Sequence, residues 1–156
     1  MPVPHIMELR PYSSADRDSC LAVFDSNTPR FFDPSARGEF EEFLDRQNCP
    51  YFAMDHEGAI VGCGGYEIEQ EKAHARMIWG MVRSDSHKLG LGRYLLLFRL
   101  RQITKVGGIQ IVYVDSPQQS APFYEKQGFK VIRTVKNGYA PGLDRVEMMM
   151  KLVVCP

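Results

Sequence analysis

The sequence has no surplus of charge of either sign. Lys and Arg together number 19, and so do Asp and Glu, so no global basic field points to nucleic acid. No apolar run is long enough to span a membrane; the longest, Tyr94 to Phe98, is followed at once by Arg99 and Arg101. Cysteine is sparse and scattered. Cys20, Cys49, Cys63 and Cys155 show neither paired metal-ligand spacing nor a dense disulfide framework, so no metal is expected and a reduced cytoplasmic setting is the default. The opening Met1-Pro-Val-Pro-His-Ile6 lacks the charged start and apolar run of a secretory signal. There is no internal repeat and no low-complexity segment. What is present is ordinary globular composition, with 44% hydrophobic and 24% charged residues in a chain of 156. That suits one domain, 1–156, with a real core.

Ile6 to Arg10 reads as a first strand, ended by Pro11. Ser13-Ser-Ala-Asp16 has the form of a capping box, a hydroxyl at the N-cap and a carboxylate three residues on. A helix follows, with Cys20, Leu21 and Phe24 on one face. Asp25 to Pro29 breaks it, and Arg30-Phe-Phe-Asp-Pro34 is a loop whose two adjacent aromatics cannot easily share one core. Ser35 to Gln47 is a second helix, with Phe40, Phe43 and Leu44 at helical spacing. Cys49-Pro50 stops it.

Strands are then predicted at Tyr51–Asp55, Ala59–Glu69 and His74–Arg83, joined by turns at Glu57-Gly58 and Gln70–Ala73. Gly62, Gly64, Gly65 and Gly80 weaken these strands, which predicts a bulge or close backbone approach. Arg93 to Val106 is the central helix. Leu95, Leu96, Leu97, Leu100 and Ile103 form a broad apolar stripe, and Arg99, Arg101, Gln102 and Lys105 are expected to cover the rest. Ile109–Asp115 is apolar on both faces, as a buried parallel strand should be. Ser120–Gln127 is a short helix with Ser120 as N-cap and Gly128 past its end. Phe129–Val135 and Arg145–Val153 are the last strands, with a loop at Asn137–Asp144. The order predicts an α/β fold: a mixed, mostly antiparallel sheet with one right-handed parallel strand–helix–strand crossover, flanked by helices.

The chemistry concentrates at His87-Lys-Leu-Gly-Leu-Gly92, which joins a strand to the central helix. The first N–H groups of a helix have no intrahelical partner, and the dipole adds positive charge there. Glycine lets the backbone come close to a ligand. The turn is therefore a candidate cradle for a phosphate or pyrophosphate. Asp115–Ser120 falls at the same carboxyl-end crevice, where ligands bind in such sheets.

The turn resembles the acetyl-coenzyme A signature of the GNAT family (Gcn5-related N-acetyltransferases), Gln/Arg-x-x-Gly-x-Gly/Ala, with Gly90 and Gly92 at the glycine positions. Phe123-Tyr-Glu-Lys-Gln-Gly-Phe129 is similar to the family's second signature. The element order matches from Ile6 to Leu152. One departure is His87, which stands where Gln or Arg is usual.

The resemblance implies an enzyme that moves an acetyl group from acetyl-CoA to an amine by direct attack in a ternary complex. Backbone amides of Lys88, Leu89, Gly90, Leu91, Gly92 and Arg93 would hold the pyrophosphate, with His87 at the first position of this coenzyme-binding turn. Met81, Val82 and Arg83 would run beside the pantetheine arm, and Ser116, Ser120 and Phe123 would line the same groove. Tyr124 matches the tyrosine that protonates the departing thiolate, a role a phenol can fill. The glutamate that serves as base in histone-type members is replaced by Arg76; of the nearby Glu67, Glu69, His74 and Asp85, Glu67 is the best candidate base because it lies toward the carboxyl end of its strand, and a water-mediated base or an amine arriving neutral stays open. Asn27, Phe32 and Tyr139 are the expected walls of the pocket for a small-molecule or peptide amine. A sheet edge offers a homodimer surface, and neither nucleic acid nor membrane is an expected partner. Two other classes compete. One is a catalytically silent acyl-CoA sensor. The other is a dinucleotide-binding oxidoreductase, which fits poorly because Leu95 stands where a third glycine would be.

Overall fold

A computed structural model describes residues 7–152. Ile6 and Val153, the outer ends of the first and last expected strands, and Cys155 lie outside the described residues. Seven strands form one sheet: β1 (Met7–Pro11), β2 (Tyr51–His56), β3 (Ala59–Glu69), β4 (His74–Val82), β5 (Ile111–Pro117), β6 (Lys130–Ala140) and β7 (Leu143–Lys151). Their spatial order is β1-β2-β3-β4-β5-β7-β6. Every neighbouring pair is antiparallel except β4 and β5. Among the described residues four α-helices flank it: α1 (Arg17–Ser26), α2 (Arg37–Arg46), α3 (Leu91–Val106) and α4 (Ala121–Lys126).

Local chemistry explains the chain reversals. Glu57 and Gly58 both have positive φ, as a two-residue hairpin of primed type requires, and Asp55 Oδ1 accepts from Gly58 N at 2.8 Å. Ser13 N donates to Asp16 Oδ2 at 3.0 Å, which closes the expected capping box. Arg10 adds two parallel bonds to the same carboxylate, each 2.9 Å.

Two expectations are corrected. The segment 137–144 is not an open loop; β6 and β7 run into it and pair from Ala140–Leu143 outward. Its turn residues are absorbed as a register irregularity between Val135 and Ala140, with Asn137 at φ 56°. Asn137 Oδ1 accepts from Gly142 N at 2.8 Å, which fastens the hairpin end. Arg99, expected on the solvated side of the central helix, is 2% exposed.

The core lies on both sheet faces. On one, Leu96 and Ile103 of α3 pack with Met77, Val112, Val114, Phe129 and Met148. On the other, Phe24 of α1 and Phe40 of α2 pack with Cys63 and Met81, and Trp79 lies against them.

Candidate active site

The site begins where β4 and β5 part. They pair only at His74–Ile111, Ala75–Val112 and Arg76–Tyr113. Beyond that, β4 runs on to Val82 and β5 to Pro117 without pairing to each other. A bulge in β4 accompanies the parting: Trp79 and Gly80 stand opposite Gly64 alone, between the Cys63–Met81 and Gly65–Ile78 pairs. Trp79 takes φ 44°, a conformation rare for a bulky side chain and characteristic of functional sites. The result is a wedge-shaped split in the middle of the sheet. The unpaired backbone on its walls can take a chain of amide groups laid between the strands.

The glycine turn closes one end. Residues Ser84–Leu89 form a 3-10 helix, and Gly90 at φ 77° ends it in the left-handed region before α3 begins at Leu91. That position needs glycine for its backbone alone. Tyr94 N bonds Gly90 O at 3.1 Å, so the amides of Leu91, Gly92 and Arg93 precede the first helical bond and form the donor cluster. His87 does not replace the usual signature side chain. Its Nε2 donates to Val82 O at 2.8 Å, and its ring meets Phe31 edge-on at 5.0 Å. It braces the turn against the end of β4.

The second signature helix meets the first at one contact: a Cβ on Gly92 would lie 3.5 Å from the tip of the Phe123 ring. Phe123 packs edge-on against Tyr124, and Tyr124 against Phe129. The half-buried Tyr124 side chain is thus held between two aromatic rings at the mouth of the split. Ser120 sits at the N-cap without a side-chain cap bond. Ser116 is 2% exposed, and its hydroxyl donates to Pro117 O at 3.3 Å. The side-chain contact expected of Ser116 is therefore not presented to the groove. Of the backbone groups expected beside the pantetheine arm, Arg83 N is committed to Val61 O and Val82 O to Asn27 and His87. That narrows the contact to the stretch before them.

Sequence reasoning missed Arg99. Its guanidinium lies under the bulge. A Cβ on Gly64 or Gly80 would come within 3.1 or 2.8 Å of it. Burial disfavours its charge, while the Tyr124 and Tyr51 hydroxyls and the Cys63 thiol act in the opposite direction. The spacing Leu95–Arg99–Ile103, one residue per helical turn, places it on the apolar stripe. That spacing together with the glycines was the available signal.

The residues expected around the acceptor divide between surface and core. Glu67 is exposed and stands opposite Arg76, and Arg76 Nη1 lies 3.3 Å from Asp115 Oδ1. Tyr139 is 41% exposed, and Asp115 and Arg76 of this row act on its hydroxyl. Its phenol is pushed up by burial, then by Asp115, and it also feels Tyr124. Gln118 holds the hairpin there, bonding Gly142 O at 2.8 Å and Asp144 N at 2.7 Å. Asn27 is not a pocket wall: it is 3% exposed, and its amide donates to Val23 O and Val82 O at 2.9 Å. Phe32 stacks on Phe24 at 5.0 Å, which ties it to the core. Among the described residues, no group of three or more His, Cys, Asp or Glu is placed to hold a metal, and no helix is long and apolar enough to cross a membrane.

Comparison with known proteins agrees with this geometry. The profile of the Acetyltransferase (GNAT) family matches residues 20–129. The chain belongs to that family, whose members are acyltransferases. An N-alpha-acetyltransferase from Sulfurisphaera tokodaii is 24% identical over 126 residues, covering 72% of this chain and 75% of its own. The fold is shared with the ribosomal-protein-S18-alanine N-acetyltransferase of Escherichia coli, at TM-score 0.80, 15% identity and 97% coverage of each chain. It is shared also with a Salmonella typhimurium protein solved with its cofactor acetyl-CoA, at TM-score 0.74, 15% identity, and 97% and 96% coverage.

Proposed function

We propose that this protein transfers an acetyl group from acetyl-CoA to a primary amine by direct attack within a ternary complex. The observation that carries the reading is the meeting of Gly92 and Phe123 beside the β4–β5 split. It puts an anion cradle and a phenol at one opening. The amides of Leu91, Gly92 and Arg93 and the helix dipole hold the pyrophosphate. The pantetheine arm lies in the split, which brings the thioester toward the bulge at Trp79-Gly80. A backbone amide there polarises the carbonyl.

The amine enters from the Arg76–Asp115–Tyr139 face. Its nitrogen attacks the carbonyl carbon, a C–N bond forms, the C–S bond breaks, and the electron pair goes to sulfur. Tyr124 gives its proton to that sulfur. The proton lost from nitrogen passes to Glu67 or Asp115, directly or through water, and restores the phenol by way of solvent. The relatives that act on peptide α-amines make such amines the first acceptor class to screen.

The test is an acceptor screen with mass spectrometry, followed by Tyr124→Phe. The variant should bind acetyl-CoA as the native chain does while kcat falls on the order of 100-fold. An unchanged kcat would remove the acid role. Tight acetyl-CoA binding with no transfer to any amine would favour a silent sensing module instead.

A further inference from the structure

Arg99 is buried without an anion. It donates to two backbone carbonyls at long range, Leu95 O at 3.4 Å and Gly65 O at 3.3 Å. Among the described residues it takes part in no ion pair. A guanidinium has five N–H donors, and an apolar residue of the same volume in such a place is often no less stable. The sequence nevertheless keeps Gly64 and Gly80, both costly inside strands, and their missing side chains leave the space that the guanidinium fills. A merely structural pillar would not need two such glycines.

The location matters. Gly80 belongs to β4 beyond its last pair with β5, and Tyr124 belongs to the helix that follows β5. The guanidinium lies against the bulge, under Gly64 and Gly80, and the Tyr124 hydroxyl is near enough to act on its charge. We propose that Arg99 is a positioning residue for Tyr124: it orients the hydroxyl and stabilises the negative charge that passes from sulfur to phenol oxygen during thioester cleavage. This rests on the acetyl-transfer reading above. As the C–S bond breaks, the electron pair goes to sulfur and the Tyr124 proton follows. The phenolate left behind borders the guanidinium until the proton released from the amine nitrogen restores it. Because Arg99 is buried, its fixed charge is little screened by water and acts strongly on a charge formed beside it.

The experiment uses the full chain with Arg99→Met, Arg99→Lys, Tyr124→Phe and the Arg99→Met/Tyr124→Phe double variant. Melting curves establish folding, and calorimetry gives Kd for acetyl-CoA. Ultraviolet absorbance of the thiolate gives the pKa of bound CoA. Arg99→Met should lower kcat on the order of 100-fold while Kd stays within about twofold. Arg99→Lys should recover part of the rate. The bound CoA thiol should ionise at lower pH in the native chain than in Arg99→Met. In the Tyr124→Phe background the same change should cost little more, because the two groups act as a unit. Native turnover in folded Arg99→Met, or full additivity with Tyr124→Phe, would overturn the proposal and leave the acetyl-transfer reading standing. Failure of the native chain to bind acetyl-CoA would instead overturn both. If Arg99→Met does not fold, Arg99→Lys carries the same cycle: non-additivity with Tyr124→Phe supports the proposal, and full additivity overturns it.

Discussion

Asp16 illustrates how a single side chain fastens the start of the fold. Its carboxylate takes two bonds from Arg10 and one from Ser13 N. The hydrogen bonds from Arg10 hold its pKa below the ordinary carboxylate value. A depressed folded pKa stabilises above the unfolded value, about 4, and the contribution is lost as pH falls through the folded value. Asp16→Asn should therefore cost about 2 kcal/mol at neutral pH, measured by urea denaturation. The gap between variant and native chain should close as pH drops below the ordinary carboxylate range. A gap that persists under acid would assign the effect to packing. The Ser13–Asp16 bond was legible in the sequence as a capping box, because its partners are three residues apart; the two bonds from Arg10 were not. Arg99 and Asn27 were not legible in the same way. Their roles depend on groups 34 and 55 residues distant, and residue type alone suggests a solvated cation and a pocket amide. His87 departs from the family signature for a related reason, since its partner is the carbonyl at the end of the preceding strand.

At the scale of elements, the bulge in β4 and the middle of α3 form one unit. Glycine in a strand lacks side-chain packing, but Gly64 and Gly80 make space that the neighbouring helix fills. Their substitution should therefore depend on residue 99. Gly80→Ala should destabilise the native chain by about 1–3 kcal/mol, as overpacking does. In the Arg99→Ala background, where the guanidinium is gone, it should cost much less. A thermodynamic cycle from chemical denaturation reads the coupling directly; equal costs in both backgrounds would show that the strand, not the guanidinium, resists the methyl. The periodicity that located α3 and β4 was legible in the sequence, and glycine content correctly flagged irregular backbone. The β6–β7 hairpin was misread because Asn137, Gly138 and Gly142 read as a loop, whereas cross-strand pairing and the Asn137–Gly142 bond keep the ladder running. Turn residues inside a long hairpin look like its end until the partner strand is known.

For the molecule as a whole, the parallel seam sets the mechanics. Three residue pairs join β4 to β5, while antiparallel ladders bind each half-sheet internally. Among the described residues, the split sides of β4 beyond Arg76 and of β5 beyond Tyr113 have no partner strand. Their amides should exchange with deuterium quickly in the free protein and slow on addition of acetyl-CoA; mass-spectrometric exchange of peptides spanning 77–83 and 114–120 measures this. Unchanged exchange would place the donor elsewhere. With only three pairs across it, the same seam is where the sheet is expected to bend most easily, each half-sheet being held by longer antiparallel ladders. A donor molecule bound in the gap, as proposed above, would act as a splint. The acyl donor would thus be a mechanical part of the fold while bound, and each product release would return the half-sheets to their looser state.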